Sequence, residues 1–168
     1  MEDPVIDQLE ALGVEHEVLP CDPELADTAA FCEAYGHAAE DSANAILVIG
    51  KPRSTDGDGA PPMACCLVLA STRLDVNGVV RRRLGVRKAS FASADDTESI
   101  TGMQIGGVTP FGLPPGLPVW IDSGVMDRPS VIVGGGTRDR KIRCTPSALM
   151  AIPGAEVVDM AKAATGGG

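Results

Sequence analysis

The part of the sequence best suited to chemistry is a glycine- and proline-rich segment around residue 106. Gly106, Gly107 and Gly112 free the backbone to approach a ligand closely, and Pro110 fixes the turn between them. Consecutive backbone N–H groups presented by such a loop can hold a carbonyl oxygen as it becomes an oxyanion. The spacing alone also fits a loop whose glycines have a purely structural role, so both interpretations stay open.

Other residue sets that carry chemistry are missing or incomplete. The run 134–136 is three glycines after a predicted strand, but Asp139 stands where a dinucleotide-binding loop has its third glycine. Cys65 and Cys66 are adjacent in a predicted strand, so they point to opposite faces and cannot chelate one ion together. For all the thiols we expect buried structural roles. The sequence therefore predicts no metal site, no cofactor and, for an enzyme, no side-chain triad.

Charge is distributed unevenly along the chain, whose formal net charge is -9. The first 50 residues hold twelve of the 23 acidic residues and none of the 14 Lys and Arg. Two basic runs follow, at 81–88 and at 138–143. These runs predict either solvated faces of a helix and a strand or a local phosphate-binding surface, because phosphates respond mainly to nearby cations.

Length and composition limit the class of protein. The 168 residues, 44% of them hydrophobic, suffice for one substantial core, and no apolar run reaches the ~18 residues of a membrane helix. The first residues lack the basic region of a signal peptide, and five cysteines without framework spacing suit a reducing cytoplasm. Aromatic residues make up 3%, which argues against a nucleic-acid surface of stacked rings. We expect a cytoplasmic protein with neither a membrane nor a DNA partner.

Helix and strand signals alternate without a regular βαβ order. Helices are predicted at 4–12, 28–35, 77–84 and 94–100 and after residue 146, and the first of them has both an Asp-Pro cap and an apolar stripe. Strands are predicted at 15–19, 44–49, 63–70, 117–122, 130–133, 141–144 and 155–158, and a hairpin loop at 51–62. This pattern favours an α+β fold with a mixed, curved sheet flanked by helices. We expect one domain over residues 1–162 and a disordered tail at 163–168.

The glycine segments and their order resemble a known family. The motif Gly106-Gly107-x-Thr-Pro-Phe-Gly112, followed by Ile121-Asp122, is similar to that of the YbaK/EbsC family. This family includes free-standing relatives of the prolyl-tRNA synthetase editing domain. The similarity extends over most of the chain, from the opening helix to the strand that runs into the glycines at 134–136.

The resemblance implies a partly closed β-barrel with flanking helices, and hydrolysis of the ester between a wrong amino acid and the terminal adenosine of a tRNA. Typical substrates are alanine or cysteine on proline tRNA, so aminoacyl-tRNA is the implied partner and prolyl-tRNA synthetase a candidate second one. Site roles follow by position: oxyanion contacts from Gly106 and Gly107, an amino-acid pocket from Thr109, Pro110 and Phe111, and a ribose-facing wall from Gly134 and Gly135.

Two positions depart from the family pattern. Asn44 occupies the place of the family's characteristic lysine, and Lys141 stands where some members have an acid. Asn44 can donate a hydrogen bond in a catalytic role but brings no positive charge. Lys141 either carries the missing charge to the substrate's terminal phosphate or belongs to an exposed cluster with Arg138 and Arg140. Three functions remain: an editing hydrolase, a binding module without catalysis, and a hydrolase of another small acyl ester.

Overall fold

The computed structural model describes residues 3–51 and 61–163. Its helices are α1 (Pro4–Leu12), α2 (Thr28–Tyr35), α3 (Arg81–Leu84), α4 (Ala94–Thr101), α5 (Ser123–Met126) and α6 (Pro146–Met150). Its strands are β1 (His16–Pro20), β2 (Ala43–Lys51), β3 (Met63–Leu69), β4 (Thr72–Leu74), β5 (Lys88–Phe91), β6 (Val119–Asp122), β7 (Val131–Gly134), β8 (Arg140–Cys144), β9 (Ala155–Val158) and β10 (Ala161–Ala163). The α+β class is thereby confirmed.

The largest sheet has five strands in the order β5-β2-β3-β6-β9 and is mixed, because β3, β6 and β9 run parallel. Its central strand β3 is covered on both faces, by a cluster around Leu67 and Ile121 on one and around Cys66 and Trp120 on the other. Burial on both faces explains why β3 reads as a continuous apolar run. All five cysteines are buried, as expected.

No closed barrel forms within the described residues. The antiparallel sheet β1-β8-β7 and the pair β10-β4 are separate from the five-stranded sheet, and all three end at edge strands. β2 and β7 approach each other but share a single bridge, between Ser42 and Ile132. The partly closed barrel implied by the resemblance is therefore wrong, because no ladder of hydrogen bonds joins β2 to β7.

The opening helix follows its predicted capping. The Asp3 side chain accepts from the Ile6 N–H at 3.2 Å, and Gly13 ends α1 in the left-handed conformation with φ 66°. Val5 and Leu9 then pack into the core. This packing places α1 against the glycine segment, where the Gly112 N–H donates to Gln8 Oε1 at 2.7 Å.

Several short elements were not predicted from the sequence: β4, β5, β10 and α5. In β5 only Ala89 is buried, so the strand is too short for alternation to reveal it. The helix predicted at 77–84 is a π-type turn at 76–80 followed by α3. Most of the predicted hairpin loop (52–60) and most of the predicted tail (164–168) lie outside the described residues. In the described part, no helix is long and apolar enough to cross a membrane.

Candidate active site

A cavity of about 400 Å³ lies in the gap between β2 and β7. Its walls come from β2 (43–47), the start of α2 (27–29), the glycine segment (105, 106 and 108) and β7 (132–134). The volume is within the usual range for sites that bind small molecules. The candidate site therefore lies where β2 and β7 approach each other without a ladder of hydrogen bonds.

The two glycine segments pack backbone against backbone at this wall. A Cβ atom on Gly134 would lie 2.1 Å from the Val108 carbonyl oxygen, and one on Gly107 would lie 2.9 Å from the Thr137 carbonyl carbon. The Gly136 N–H also donates to the Gly107 carbonyl at 2.7 Å. Only residues without a side chain allow this approach, so the glycines let the loop pack directly on β7.

The hydrogen bonds of this loop differ from those that the resemblance implied. The Gly107 N–H donates to the Gln104 carbonyl at 2.8 Å and closes a turn, so it is not free to hold an oxyanion. Gly107 is also absent from the described residues that line the cavity. Gly106 does line it, and its carbonyl accepts a hydrogen bond from Lys141 at 2.9 Å.

Lys141 is a buried cation in the cavity wall. It is 5% exposed, and its Nζ donates to the carbonyls of Ala26 and Gly106 and lies 5.5 Å from the centroid of the Phe31 ring. An ammonium has three protons, so a third remains for a ligand. Burial lowers the pKa of Lys141. The alternative predicted from the sequence, that Lys141 belongs to an exposed cluster with Arg138 and Arg140, is therefore wrong.

Asn44 lines the same cavity from β2. Its Oδ1 accepts a hydrogen bond from the Thr28 hydroxyl, which leaves the amide nitrogen of Asn44 as the group that can donate to a ligand. The fold thus brings together Asn44 and Lys141, the two positions at which the sequence departs from the family pattern.

Further donors come from backbone that the sequence did not single out. The N-terminal end of α2 borders the cavity at residues 27–29, where free N–H groups and the helix dipole favour negative charge. On β2, pairing with β5 begins at Val48, and the Leu47 carbonyl accepts from Ala92 on the β5 side. Because strand groups alternate with period two, the N–H of Ala45 faces the same side, toward the cavity.

The remaining predicted residues lie behind the cavity wall. Thr109 and Phe111 are 0% exposed, and Phe111 belongs to the main core. Pro110 lines a second, smaller cavity of about 280 Å³ with Gln8. Gly135 accepts a hydrogen bond from Arg140 Nε through its carbonyl. Within the described structure, these residues support the loop and do not border the first cavity.

Sequence reasoning also missed side chains that do line the cavity. These are Phe31 from α2, Thr97 from α4, Phe91 from β5 and Ile105. The apolar stripe of α2 could have indicated a buried Phe31, but nothing local distinguishes Phe91 or Ile105 from other surface residues. Their place depends on contacts between distant segments.

Known proteins resemble this chain over most of its length. Residues 22–152 match the family model described as the aminoacyl-tRNA editing domain. The crystal structure of a candidate trans-editing enzyme for prolyl-tRNA synthetase is similar with a TM-score of 0.78 and 27% identity, over 95% of this chain and 95% of that chain. A protein described only as hypothetical has a TM-score of 0.82 and 22% identity, over 95% of this chain and 100% of that chain, and shows the fold alone.

Proposed function

The chain belongs to the aminoacyl-tRNA editing domain family, and from that premise we propose that it hydrolyses the ester bond of a mischarged tRNA in trans. The observation that carries the proposal is the cavity between β2 and β7, which holds a buried cation and backbone donors. Hydrolysis of an ester is faster in a site that stabilises the oxyanion formed when water attacks the carbonyl carbon.

In this reaction water adds to the ester carbonyl carbon and the carbonyl oxygen becomes an oxyanion. The bond to the ribose oxygen then breaks, and that oxygen takes up a proton as the free amino acid leaves. The N–H of Ala45 and the start of α2 supply partial positive charge for the oxyanion. The substrate's own ribose hydroxyl orients the water, and the proton that the water loses is the one that the departing ribose oxygen takes up.

Lys141 takes over the electrostatic role of the family lysine in this proposal. Its Nζ has two carbonyl partners, and its third proton can bind the terminal phosphate or the oxyanion. The Asn44 amide donates a neutral hydrogen bond from β2. The charge has therefore moved from one strand of the cavity to another.

We further propose a small amino acid as the substrate side chain, alanine or cysteine, with proline tRNA as its carrier. The support is the likeness to a candidate trans-editing enzyme for prolyl-tRNA synthetase. A separate hydrolytic site is useful for such residues because a pocket discriminates poorly between side chains of similar size. Prolyl-tRNA synthetase is the corresponding candidate partner.

The test is a deacylation screen with purified protein and a panel of tRNAs mischarged with small amino acids, with and without the cognate synthetase. We expect faster loss of the amino acid from at least one mischarged tRNA than in buffer. A panel in which every ester stays intact would remove the hydrolase proposal.

A binding module without catalysis is the second candidate, favoured by Asn44 in the place of the family lysine. This alternative predicts that mischarged tRNA binds with measurable affinity and dissociates with its ester intact. Binding and turnover measured on one preparation separate the two functions.

A further inference from the structure

Two exposed apolar side chains border the cavity. Phe91 is 57% exposed and Ile105 is 48% exposed, the two highest values among the large hydrophobic residues of the described chain. Both line the cavity between β2 and β7. Single exposed apolar residues are common, but the two most exposed ones at one cavity mark a surface for an apolar or aromatic group.

Positive charge lies farther along the same edge strand. Lys88 begins β5, three residues or about 10 Å from Phe91, and is paired in register with Lys51 of β2. Like charges directly opposite each other destabilise a sheet. Neither lysine forms an ion pair with a carboxylate of the described residues. A bound anion would relieve their repulsion.

We propose that Phe91 stacks on the base of the terminal adenosine, and that Lys51 and Lys88 bind phosphates of the preceding nucleotides. The 3′ end of the tRNA then follows the edge of β5 toward the cavity, with Ile105 as a second apolar contact for the base. This inference rests on the proposed function. The adenine base can lie on Phe91, outside the cavity, only if the ester on the same nucleotide lies inside the cavity.

The proposed contacts are those by which proteins bind single-stranded nucleic acid. A base stacked on an aromatic ring combines with a cationic groove for the backbone, and stacking is independent of the neighbouring sequence. The low aromatic content of the chain is no obstacle, since one base requires one ring. Because β5 is an edge strand, side chains from both of its faces can reach a strand lying along it.

The test is a double-mutant cycle on binding of uncharged proline tRNA, either intact or lacking its terminal adenosine. For the wild type, removal of the adenosine should weaken binding about tenfold, or ~1.4 kcal/mol. Phe91→Leu should weaken binding of intact tRNA by a similar factor and leave binding of the truncated tRNA unchanged. Phe91→Tyr, which keeps an aromatic ring, should behave as the wild type.

Val157→Ala is the matched control, because Val157 is 45% exposed and lies on β9, at the opposite edge of the same sheet. It should change neither affinity. An equal loss of affinity for intact and truncated tRNA in Phe91→Leu, or no loss for either, would overturn the stacking proposal.

The lysines are tested by the salt dependence of binding. Lys51→Ala and Lys88→Ala should each reduce the slope of log K against log salt by about 0.7. Lys162→Ala, whose side chain pairs with Asp75, should not change the slope. Unchanged slopes in the first two variants would overturn the phosphate part.

The outcomes also separate this inference from the proposed function. Binding that follows the cycle, with no hydrolysis of any mischarged tRNA, would contradict the hydrolase alone. Hydrolysis with a KM that does not change in Phe91→Leu would contradict the stacking alone.

Discussion

In the proposed mechanism, Lys141 is the residue on which the chemistry of the site depends most. Lys141→Met keeps much of the apolar stem but removes the ammonium from the cavity. Loss of a charge-assisted hydrogen bond costs on the order of 1.5–3 kcal/mol, so we expect kcat/KM to fall at least about tenfold. The measurement is single-turnover deacylation, with circular dichroism to check folding.

The matched control is Arg143→Met on the same strand, because Arg143 pairs with Glu17 away from the cavity. Its rate should stay close to that of the wild type. Adding Asn44→Lys to Lys141→Met should restore part of the lost rate. Equal behaviour of Lys141→Met and Arg143→Met would mean that the charge has not moved.

The pH dependence of the reaction provides a second test of Lys141. Burial lowers the pKa of this ammonium, so a rate that needs its charge is complete below the folded-state pKa. The rate is lost as the pH rises through that value, at a lower pH than for an ordinary lysine. We expect this alkaline limb in the enzymatic rate after subtraction of spontaneous hydrolysis, and its absence in Lys141→Met.

The sign for stability is opposite to the sign for activity. Between the folded and the ordinary lysine pKa, the unfolded chain binds more protons at this site, so its contribution to the free energy of unfolding rises with pH.

If the enzymatic rate of Lys141→Met fell at high pH as the wild-type rate does, the alkaline limb would belong to a group other than Lys141.

At the scale of elements, the contact of the glycine segment with β7 defines the cavity. Gly134→Ala places a Cβ 2.1 Å from a backbone oxygen that cannot move without the whole loop. We expect a loss of about 3 kcal/mol in the free energy of unfolding and loss of activity. Urea unfolding and the deacylation rate measure the two effects.

Gly116→Ala distinguishes close contact from backbone strain. Gly116 has φ 87°, and a Cβ there would meet open space. The cost should be about 1–2 kcal/mol from the left-handed conformation, with activity retained. If both variants lost equal stability and kept activity, the wall would not depend on the contact.

The capping of α1 gives a prediction for the helix that supports the loop. Asp3 caps the helix and forms two hydrogen bonds with Arg140, at 2.7 and 2.9 Å. Asp3→Ala should lower the free energy of unfolding by about 1–2 kcal/mol, whereas Asp7→Ala, in the same first turn, should change it little. The hydrogen bond with Arg140 holds the pKa of Asp3 below its usual value.

This stabilisation has a defined pH window. It is complete above the pKa of an unfolded aspartate and is lost as the pH falls through the lower folded-state pKa. Unfolding curves of wild type and Asp3→Ala should therefore converge in acid. A difference that stays constant into strong acid would show that the carboxylate charge is not involved.

Local signals explain which elements could be predicted from the sequence. The boundaries of α1 and the end of α2 follow from Asp3, Gly13 and Gly36, whose effects act within one helical turn. The burial of Lys141 could not be predicted, because three of the five residues of β8 are basic and nothing local distinguishes Lys141 from Arg140 and Arg143. Lys141 is buried only through contacts with Ala26 and the glycine segment, which are distant in sequence. The missing barrel ladder likewise depends on how β2 and β7 meet.

Across the whole molecule, the acidic first 50 residues form ion pairs with one of the two basic runs. Arg138, Arg140 and Arg143 pair with Asp27, Asp3 and Glu17, all from the acidic first 50 residues. The second basic run is therefore mainly an internal contact. In the first basic run, only Arg83 forms an ion pair within the described residues, and its partner Glu156 lies outside the acidic first 50 residues.

This difference in ion pairing leaves the cations of the first basic run as the surface that we propose for RNA. Arg82, Arg87 and Lys88 are exposed and lie near the edge strand β5, whose other end borders the cavity. A protein of net charge -9 can thus attract phosphate locally while most of its surface repels it.

The most direct test of the central claim is the rate at which amino acid is released from proline tRNA charged with alanine and, separately, with proline. We expect the wild-type protein to accelerate release of alanine well above the rate in buffer, and Gly134→Ala and Lys141→Met not to do so. The proline ester should persist. Equal rates with and without the protein for alanine, cysteine and the other small amino acids would contradict the proposed hydrolase function.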